Sequence, residues 1–311
     1  MTTFRYKTNF YSIKNIGIIA GIVLMYFLLS FLLIGFKTDQ LVLAFIFCLA
    51  YFGSPDSRKF IIAFSIFIVY WIIFDYMKAF PNYKYTAVHL SQLHNIELSF
   101  FGFHQNGKLI TPNEYWLAHK NTFLNVLTGI FYLCWIPVPL AFASFLFVKD
   151  KTLFLHFAIS FVLVNMIGFI IYYVYPAAPP WYFQKFGDNF IAQTASDPAG
   201  LQQFDAYFNA GIFKAIYAKG SNVFAAMPSL HSSYPVIVLY YGIKKRMGWV
   251  NLIFVIVMLG IWFAAVYNSH HYVLDVLAGI VCALLSIFIF QKLLLKTKWF
   301  NFFLANYRLK I

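Results

Sequence analysis

Charge is scarce in this chain: Asp, Glu, Lys and Arg make up 11% of its 311 residues, against about 25% in an average soluble domain. Hydrophobic residues make up 62%, and the mean hydropathy is +0.73. That balance excludes a water-soluble globular protein and predicts an integral membrane protein. Acids are scarcer still, 10 against 23 Lys and Arg, for a net charge of +13. The basic residues neither gather in one polar domain nor alternate with a soluble aromatic platform, so nucleic acid is excluded as a partner. Cysteine is limited to Cys48, Cys134 and Cys282, each in a different apolar run. Without paired spacing they read as packing residues and say little about redox compartment. A cleavable leader is missing too. Arg5, Lys7 and Lys14 precede an apolar run over 16–36 that is too long for a signal-peptide core and is followed by no A-x-A site, so it reads as an uncleaved first span.

What the chain has in quantity is apolar sequence. Runs able to cross roughly 30 Å of hydrocarbon occupy residues 16–36, 59–79, 122–148, 152–175, 249–267 and 271–293, with shorter runs at 40–54 and 229–243. The expected fold is all-α, a polytopic membrane helical bundle of about eight transmembrane helices. Counting both short runs puts the two termini and the turns 55–59, 149–151 and 244–248 on one side. That side holds fifteen of the 23 Lys and Arg residues but only Asp56 and Asp150 among the acids. This positive-inside pattern predicts cytoplasmic termini. Both long loops, 80–121 and 176–228, and the turn leading into His271 then face outward, into the periplasm of a bacterial cell. The N-terminal helices end near residue 79, and a basic cytoplasmic tail covers 293–311.

The first outer loop opens at Pro81 and spaces Leu90, Leu93 and Ile96 as one face of a helix lying on the membrane surface. Thr111-Pro112-Asn113-Glu114 supplies a cap, a proline at the first helical position and an acid at the third. Tyr115 and Trp116 suit the headgroup layer, and His89, His94, His104 and His119 lack ligand spacing and read as interfacial. The second outer loop opens on Tyr175-Pro176-Ala177-Ala178-Pro179-Pro180-Trp181-Tyr182, a stiff exit that cannot continue a helix. Trp181 and Tyr182 would sit at headgroup depth, where they can meet substrate. A short helix is predicted between Asp205 and Tyr217.

The reactive groups flank the last two outer turns. His271 and Asp275 are four residues apart, so on a helix the carboxylate can hold an imidazole N–H. An acid in a lipid-spanning segment is expensive enough to suggest function; the structural alternative makes Asp275 a buried helix–helix contact. The second loop ends in Met227-Pro228-Ser229-Leu230-His231, where Pro228 suits a helix start and puts His231 in a first turn that favours anions. Pro235 would break one backbone bond of that helix. Two histidines and a carboxylate at the outer mouth suit phosphoryl transfer. One neutral imidazole attacks phosphorus, the carboxylate fixes its tautomer, and the second histidine protonates the leaving oxygen. A metal site made from His231, His270, His271 and Asp275 is the rival, although adjacent histidines point to different helix faces.

Met227-Pro228-Ser229-Leu230-His231, followed some forty residues later by His271-Tyr272-x-x-Asp275, resembles the second and third motifs of the type 2 phosphatidic acid phosphatase superfamily. Ala178-Pro179-Pro180-Trp181-Tyr182 and the double His270-His271 are more like its inositol phosphorylceramide synthase branch. The similarity covers about residues 80–292, marking these as the catalytic membrane domain. The resemblance implies a six-helix catalytic core, an exoplasmic site, and no metal or other cofactor. It implies a phosphohistidine at His271, with Asp275 as its orienter and His231 as acid and then base. The general phosphatase pattern has cations where this chain has Ile171, Ala178 and Ala265. Lys219, Lys185 and the helix start at Ser229–His231 are the candidates to neutralise the anion, and Ser229, Pro228, Trp181, Tyr182 and His270 complete the expected substrate contacts. The expected activity is transfer of a phosphoinositol-type headgroup between membrane lipids. The alternatives are a lipid phosphatase that uses water, and a nonenzymatic transporter with a His/Asp proton relay.

Overall fold

The structure, a computed structural model, describes residues 11–220 and 222–311. Arg5 and Lys7 of the basic N-terminal stretch lie outside the described residues. The chain divides into two compact units, Met1–Ala79 with Asn306–Ile311, and Phe80–Ala305.

The first unit carries α1 (Ile13–Ile34), α2 (Thr38–Gly53) and α3 (Pro55–Tyr76). Ser54 separates α2 from α3: its hydroxyl accepts the Ser57 amide at 3.0 Å, and Pro55 fills the first helical position, where no N–H is needed.

The second unit opens with α4 (Gln92–Phe101), a hairpin of β1 (Phe103–Gln105) and β2 (Lys108–Ile110), and α5 (Pro112–Ala118). The Thr111–Glu114 capping box forms as the sequence predicts, with Glu114 Oε2 accepting the Thr111 amide at 2.7 Å. Then come α6 (Thr122–Leu133), α7 (Pro137–Lys149), α8 (Lys151–Val174), α9 (Pro180–Phe186), α10 (Gln202–Tyr207), α11 (Ile212–Tyr217), α12 (Leu230–Lys244), α13 (Val250–Tyr267) and α14 (Val273–Phe288); α15 (Lys298–Lys310) follows.

Among the described residues, six segments are long and apolar enough to cross a membrane: α1, α3, α6 with α7, α8, α13, and α14 with its extension to Lys296. With the shorter α2 and the 15-residue α12, they occupy the eight apolar runs. The protein is an all-α polytopic membrane bundle.

Several boundaries differ from expectation for local reasons. The run over 122–148 is two helices because Pro137 opens a new one. α14 starts at Val273, so His271 lies in the turn before it. α12 starts at Leu230 with Ser229 as its cap, two residues later than a start at Pro228 would give, and His231 is still in its first turn. The expected helix near Asp205–Tyr217 is α10 and α11, and both carboxylate oxygens of Asp205 accept amides at the start of α11. α4 does not simply lie on the surface: Leu93 and Glu97 are fully buried while Ile96 and Phe100 are exposed.

Inside the second unit, α12 packs on α8, α13 and α14. Polar side chains at bilayer depth satisfy one another: Ser160 pairs with Tyr241 at 2.8 Å, and Tyr234 donates to Asn165 Oδ1 at 2.6 Å. Closest approach comes at Gly279, where a Cβ would lie 2.1 Å from the Ser229 carbonyl oxygen; Ser233 Oγ also donates to the Gly279 carbonyl at 2.7 Å. Only glycine lets the start of α12 rest on α14 here.

At one end of this unit the long loops are stitched together by backbone bonds. The His89 amide donates to Pro176, Ala178 to His89, and Ala177 to Phe224, at 2.8, 3.0 and 3.0 Å. Trp181 donates to Ser269 at 2.9 Å and Gly200 to Asn268 at 3.1 Å, which ties the second loop to the turn between α13 and α14.

Candidate active site

The turn between α13 and α14 is built by its backbone. The amides of His270 and His271 both donate to the Ala265 carbonyl at 3.0 Å, and Ser269 takes a left-handed conformation (φ +58°), the position where helices commonly end on glycine. α12 is keyed to the same place, since the Ser229 amide donates to the Asp275 carbonyl at 2.9 Å. His231 and His271, forty residues apart, are thereby brought ring to ring.

Nδ1 of His231 lies 3.3 Å from Nε2 of His271, and Nδ1 of His271 lies 3.5 Å from Oδ2 of Asp275. The second distance is long for a hydrogen bond; the carboxylate faces one imidazole nitrogen of His271 and the other histidine faces the opposite one. Asp275 is fully buried, and the same Oδ2 accepts the Tyr272 amide at 2.8 Å. Burial in the turn pushes His271 down to about 4, which keeps its ring neutral and nucleophilic at neutral pH.

A tyrosine pair extends this line. Tyr132 Oη lies 3.3 Å from His231 Nδ1, and the Tyr217 hydroxyl donates to Tyr132 at 3.4 Å. Trp135 meets the His231 ring edge-on at 4.5 Å. His270 does not join the reacting groups. Its ring stacks on Tyr217 at 4.7 Å and Tyr132 at 5.4 Å, and its Nε2 donates to the Pro198 carbonyl at 2.9 Å. Burial, with His271 adding, pushes it down to about 3. The adjacent histidines thus point to different partners, and a metal site using both is not formed.

The remaining expected contacts divide. Ser229 and Pro228 lie at the α12 start: Ser229 Oγ accepts from Ser232 at 3.0 Å, and the Pro228 carbonyl accepts from Tyr172 at 3.0 Å. Trp181 and Tyr182 are packed with Leu90, Ala178 and Phe224, and the Tyr182 hydroxyl is occupied by the Asn189 carbonyl and the Ile191 amide, both at 2.8 Å. Lys185 is exposed and paired with Asp197, and Lys219 is exposed in the turn after α11. Where the phosphatase pattern has cations, Ala178 and Ala265 are fully buried, Ala265 in a cluster with Tyr132, Phe204 and Phe213. At Ala265, aromatic side chains stand where that pattern has a cation.

Two buried side chains missed in the sequence reach the turn from the first long loop. Glu97 on α4 accepts the Val273 amide at 2.9 Å and the Leu274 amide at 3.1 Å; Asn113 on α5 donates to the Val266 and His271 carbonyls, each at 2.9 Å. Burial pushes the Glu97 carboxyl up to about 7 against the pull of its two amide donors. The one sequence signal was an acid four residues after Leu93 on the buried face of a short helix.

Comparison with known proteins agrees with this geometry. The profile of the PAP2 superfamily matches residues 105–289, which contain both histidines and Asp275. The chain is 41% identical to a phosphoinositol dihydroceramide synthase of Bacteroides thetaiotaomicron, over 92% of this chain and 94% of that protein. It is 27% identical to the inositol phosphorylceramide synthase catalytic subunit of Saccharomyces cerevisiae, over 72% of this chain and 54% of that one, and to the inositol phosphorylceramide synthase of Candida albicans, over 55% and 38%. No solved structure matches the chain. With a family match over more than half its length and a relative aligned almost end to end, the chain belongs to the PAP2 superfamily.

Proposed function

We propose that this protein is a membrane phosphotransferase that moves a phosphoinositol-type headgroup from a glycerophospholipid to a ceramide-like lipid alcohol, through residues 80–292. The observation that carries the reading is the line Asp275–His271–His231, with 3.5 and 3.3 Å between successive groups. The names of the relatives point to the same substrates.

Nε2 of His271 attacks phosphorus of the donor diester, and the bond from phosphorus to the glycerolipid oxygen breaks. His231 gives its proton to that oxygen, releasing diacylglycerol and leaving the headgroup phosphate on His271. Asp275 stabilises the positive ring that results. The acceptor hydroxyl then attacks phosphorus, its proton returns to His231, and the P–N bond breaks. In-line displacement puts nucleophile and proton donor on opposite sides of phosphorus, so the two rings separate as the phosphoryl group enters.

The alanines at 178 and 265 fit this substrate. A phosphodiester carries one negative charge, whereas a monoester at neutral pH carries up to two, so a diester site needs fewer cations. Lys219, Lys185 and the α12 start are the neutralising groups in this reading, and Ser229, Pro228 and His270 shape the wall. In a bacterial cell the site faces the periplasm from the inner membrane, with both termini cytoplasmic.

Purified protein given labelled phosphatidylinositol in mixed micelles, with and without ceramide, is expected to form labelled phosphoinositol-ceramide only when ceramide is present, read by lipid mass spectrometry. Water-soluble inositol phosphate released equally in both mixtures, or an unchanged donor, would overturn the proposal.

A further inference from the structure

We infer that Glu97 and Asn113 are positioning residues that hold the His271–Asp275 pair in reactive register, an inference that rests on the transfer reading above. The two side chains come from separate helices of the first long loop and are both fully buried. They grip the turn in complementary ways. The Asn113 amide nitrogen bridges the carbonyls of Val266 and His271, which fixes the two ends of the turn against each other. The two Glu97 oxygens take the first two free amides of α14, at Val273 and Leu274. The two helices also meet there, with His94 Nε2 on α4 lying 3.5 Å from Glu114 Oε1, next to Asn113.

The Glu97 contact has a consequence for Asp275. A helix start normally satisfies its amides with a Ser, Thr, Asp or Asn just ahead of it. α14 has Tyr272 in that place: Asp275 takes the Tyr272 amide, and the next two amides are taken by a carboxylate from α4, 176 residues away in sequence. Without Glu97, the acceptor that this first turn itself offers is the Asp275 carboxylate, whose Oδ2 already takes the Tyr272 amide at 2.8 Å. Asp275 would then turn toward the helix start and away from His271 Nδ1. A buried carboxylate is an expensive way to cap a helix, and it is accounted for if it keeps Asp275 available to the imidazole. Glu97 lies before residues 105–289, the part of the chain that the family profile matches, so it stands outside the shared motifs.

The test uses the full-length protein in detergent and the variants Glu97→Gln and Asn113→Asp. The first sets an NH2 group against a backbone N–H, and the second sets a carboxylate against two carbonyl oxygens. Phe154→Leu, in the fully buried core of α8, is the control for a general loss of stability. Displacement of a reacting group by about 1 Å can cost about 100-fold. Both variants are therefore expected to lose roughly 10- to 100-fold in kcat per folded molecule, with KM for the donor within about twofold. The tautomer of His271, read by 15N NMR of histidine-labelled protein, is expected to be Nδ1–H in the wild type and mixed in both variants. A kcat close to wild type, a loss that merely follows melting temperature as in Phe154→Leu, or an unchanged tautomer would overturn the inference. Absence of headgroup transfer in the wild type would overturn the functional reading instead, and the tautomer measurement would still decide the role of the two residues.

Discussion

Oδ2 of Asp275 lies 2.8 Å from the Tyr272 amide and 3.5 Å from Nδ1 of His271, so one oxygen both caps α14 and faces the imidazole. Asp275→Asn separates these jobs. The amide oxygen can still accept from Tyr272, which preserves the helix start, but a neutral amide cannot stabilise the charge that develops on His271 as it bonds phosphorus. We expect kcat for headgroup transfer to fall roughly 100-fold or more with the melting temperature little changed, while His271→Ala falls to the rate of protein-free lipid. Single-turnover transfer on equal amounts of folded protein measures both. If Asp275→Asn kept more than a tenth of wild-type kcat, Asp275 would be reduced to a cap, and activity in His271→Ala would remove the nucleophile assignment.

Between α12 and α14 the spacing of the site depends on one missing side chain. A methyl group at Gly279 would lie 2.1 Å from the Ser229 carbonyl oxygen, and that contact is backbone, so it cannot be relieved by a rotamer change. Gly279→Ala must push the start of α12 off α14, stretching the Ser229–Asp275 backbone bond of 2.9 Å and moving His231 relative to His271. Overpacking of this kind costs about 1–3 kcal/mol. A melting temperature lowered by several degrees together with a loss of transfer is expected, read by thermal denaturation and the lipid assay; unchanged values for both would mean that the helices do not meet this closely. The same pair of helices shows what the sequence could and could not say. The apolar runs, the Thr111 capping box and the spacing of His271 and Asp275 are local patterns, and local patterns were legible. That His231 and His271 meet was inferable from their shared depth. Gly279 carried no sign of its role, because its reason lies 50 residues away on another helix. Tyr132 was hidden in an apolar run for the same reason, and Glu97 in a helix read as lying on the membrane surface. Trp181 and Tyr182 are packed in the loop cluster, an arrangement that aromatic residues after a proline run suit as well as they suit a substrate wall.

Across the second unit as a whole, the basic short turns and the histidine site lie at opposite ends of the helices. Lys245 on the α12–α13 turn reaches Asp150 on the α7–α8 turn at 3.0 Å, so those two basic turns lie together. From there α8 runs 24 residues, about 36 Å at 1.5 Å per residue, to the end where the long loops close over the histidine turn. The loop end mixes Glu97, Glu114, Asp188, Asp197 and Asp205 with Lys84, Lys108, Lys120, Lys185, Lys214 and Lys219, whereas the opposite turns carry Lys149, Lys151, Lys244, Lys245 and Arg246 against Asp150 alone. Translocation tends to retain Lys- and Arg-rich short turns on the cytoplasmic side, and the orientation we propose on that ground puts the loop end and the site outside. Orientation can be read with single cysteines introduced into a chain whose Cys48, Cys134 and Cys282 are replaced by Ala. Asn106→Cys, at the exposed tip of the hairpin, is expected to react with a membrane-impermeant maleimide in intact cells, and Arg246→Cys only after the membrane is opened. The reverse pattern would put the site in the cytoplasm, and the lipid donor and acceptor would then have to be drawn from the inner leaflet.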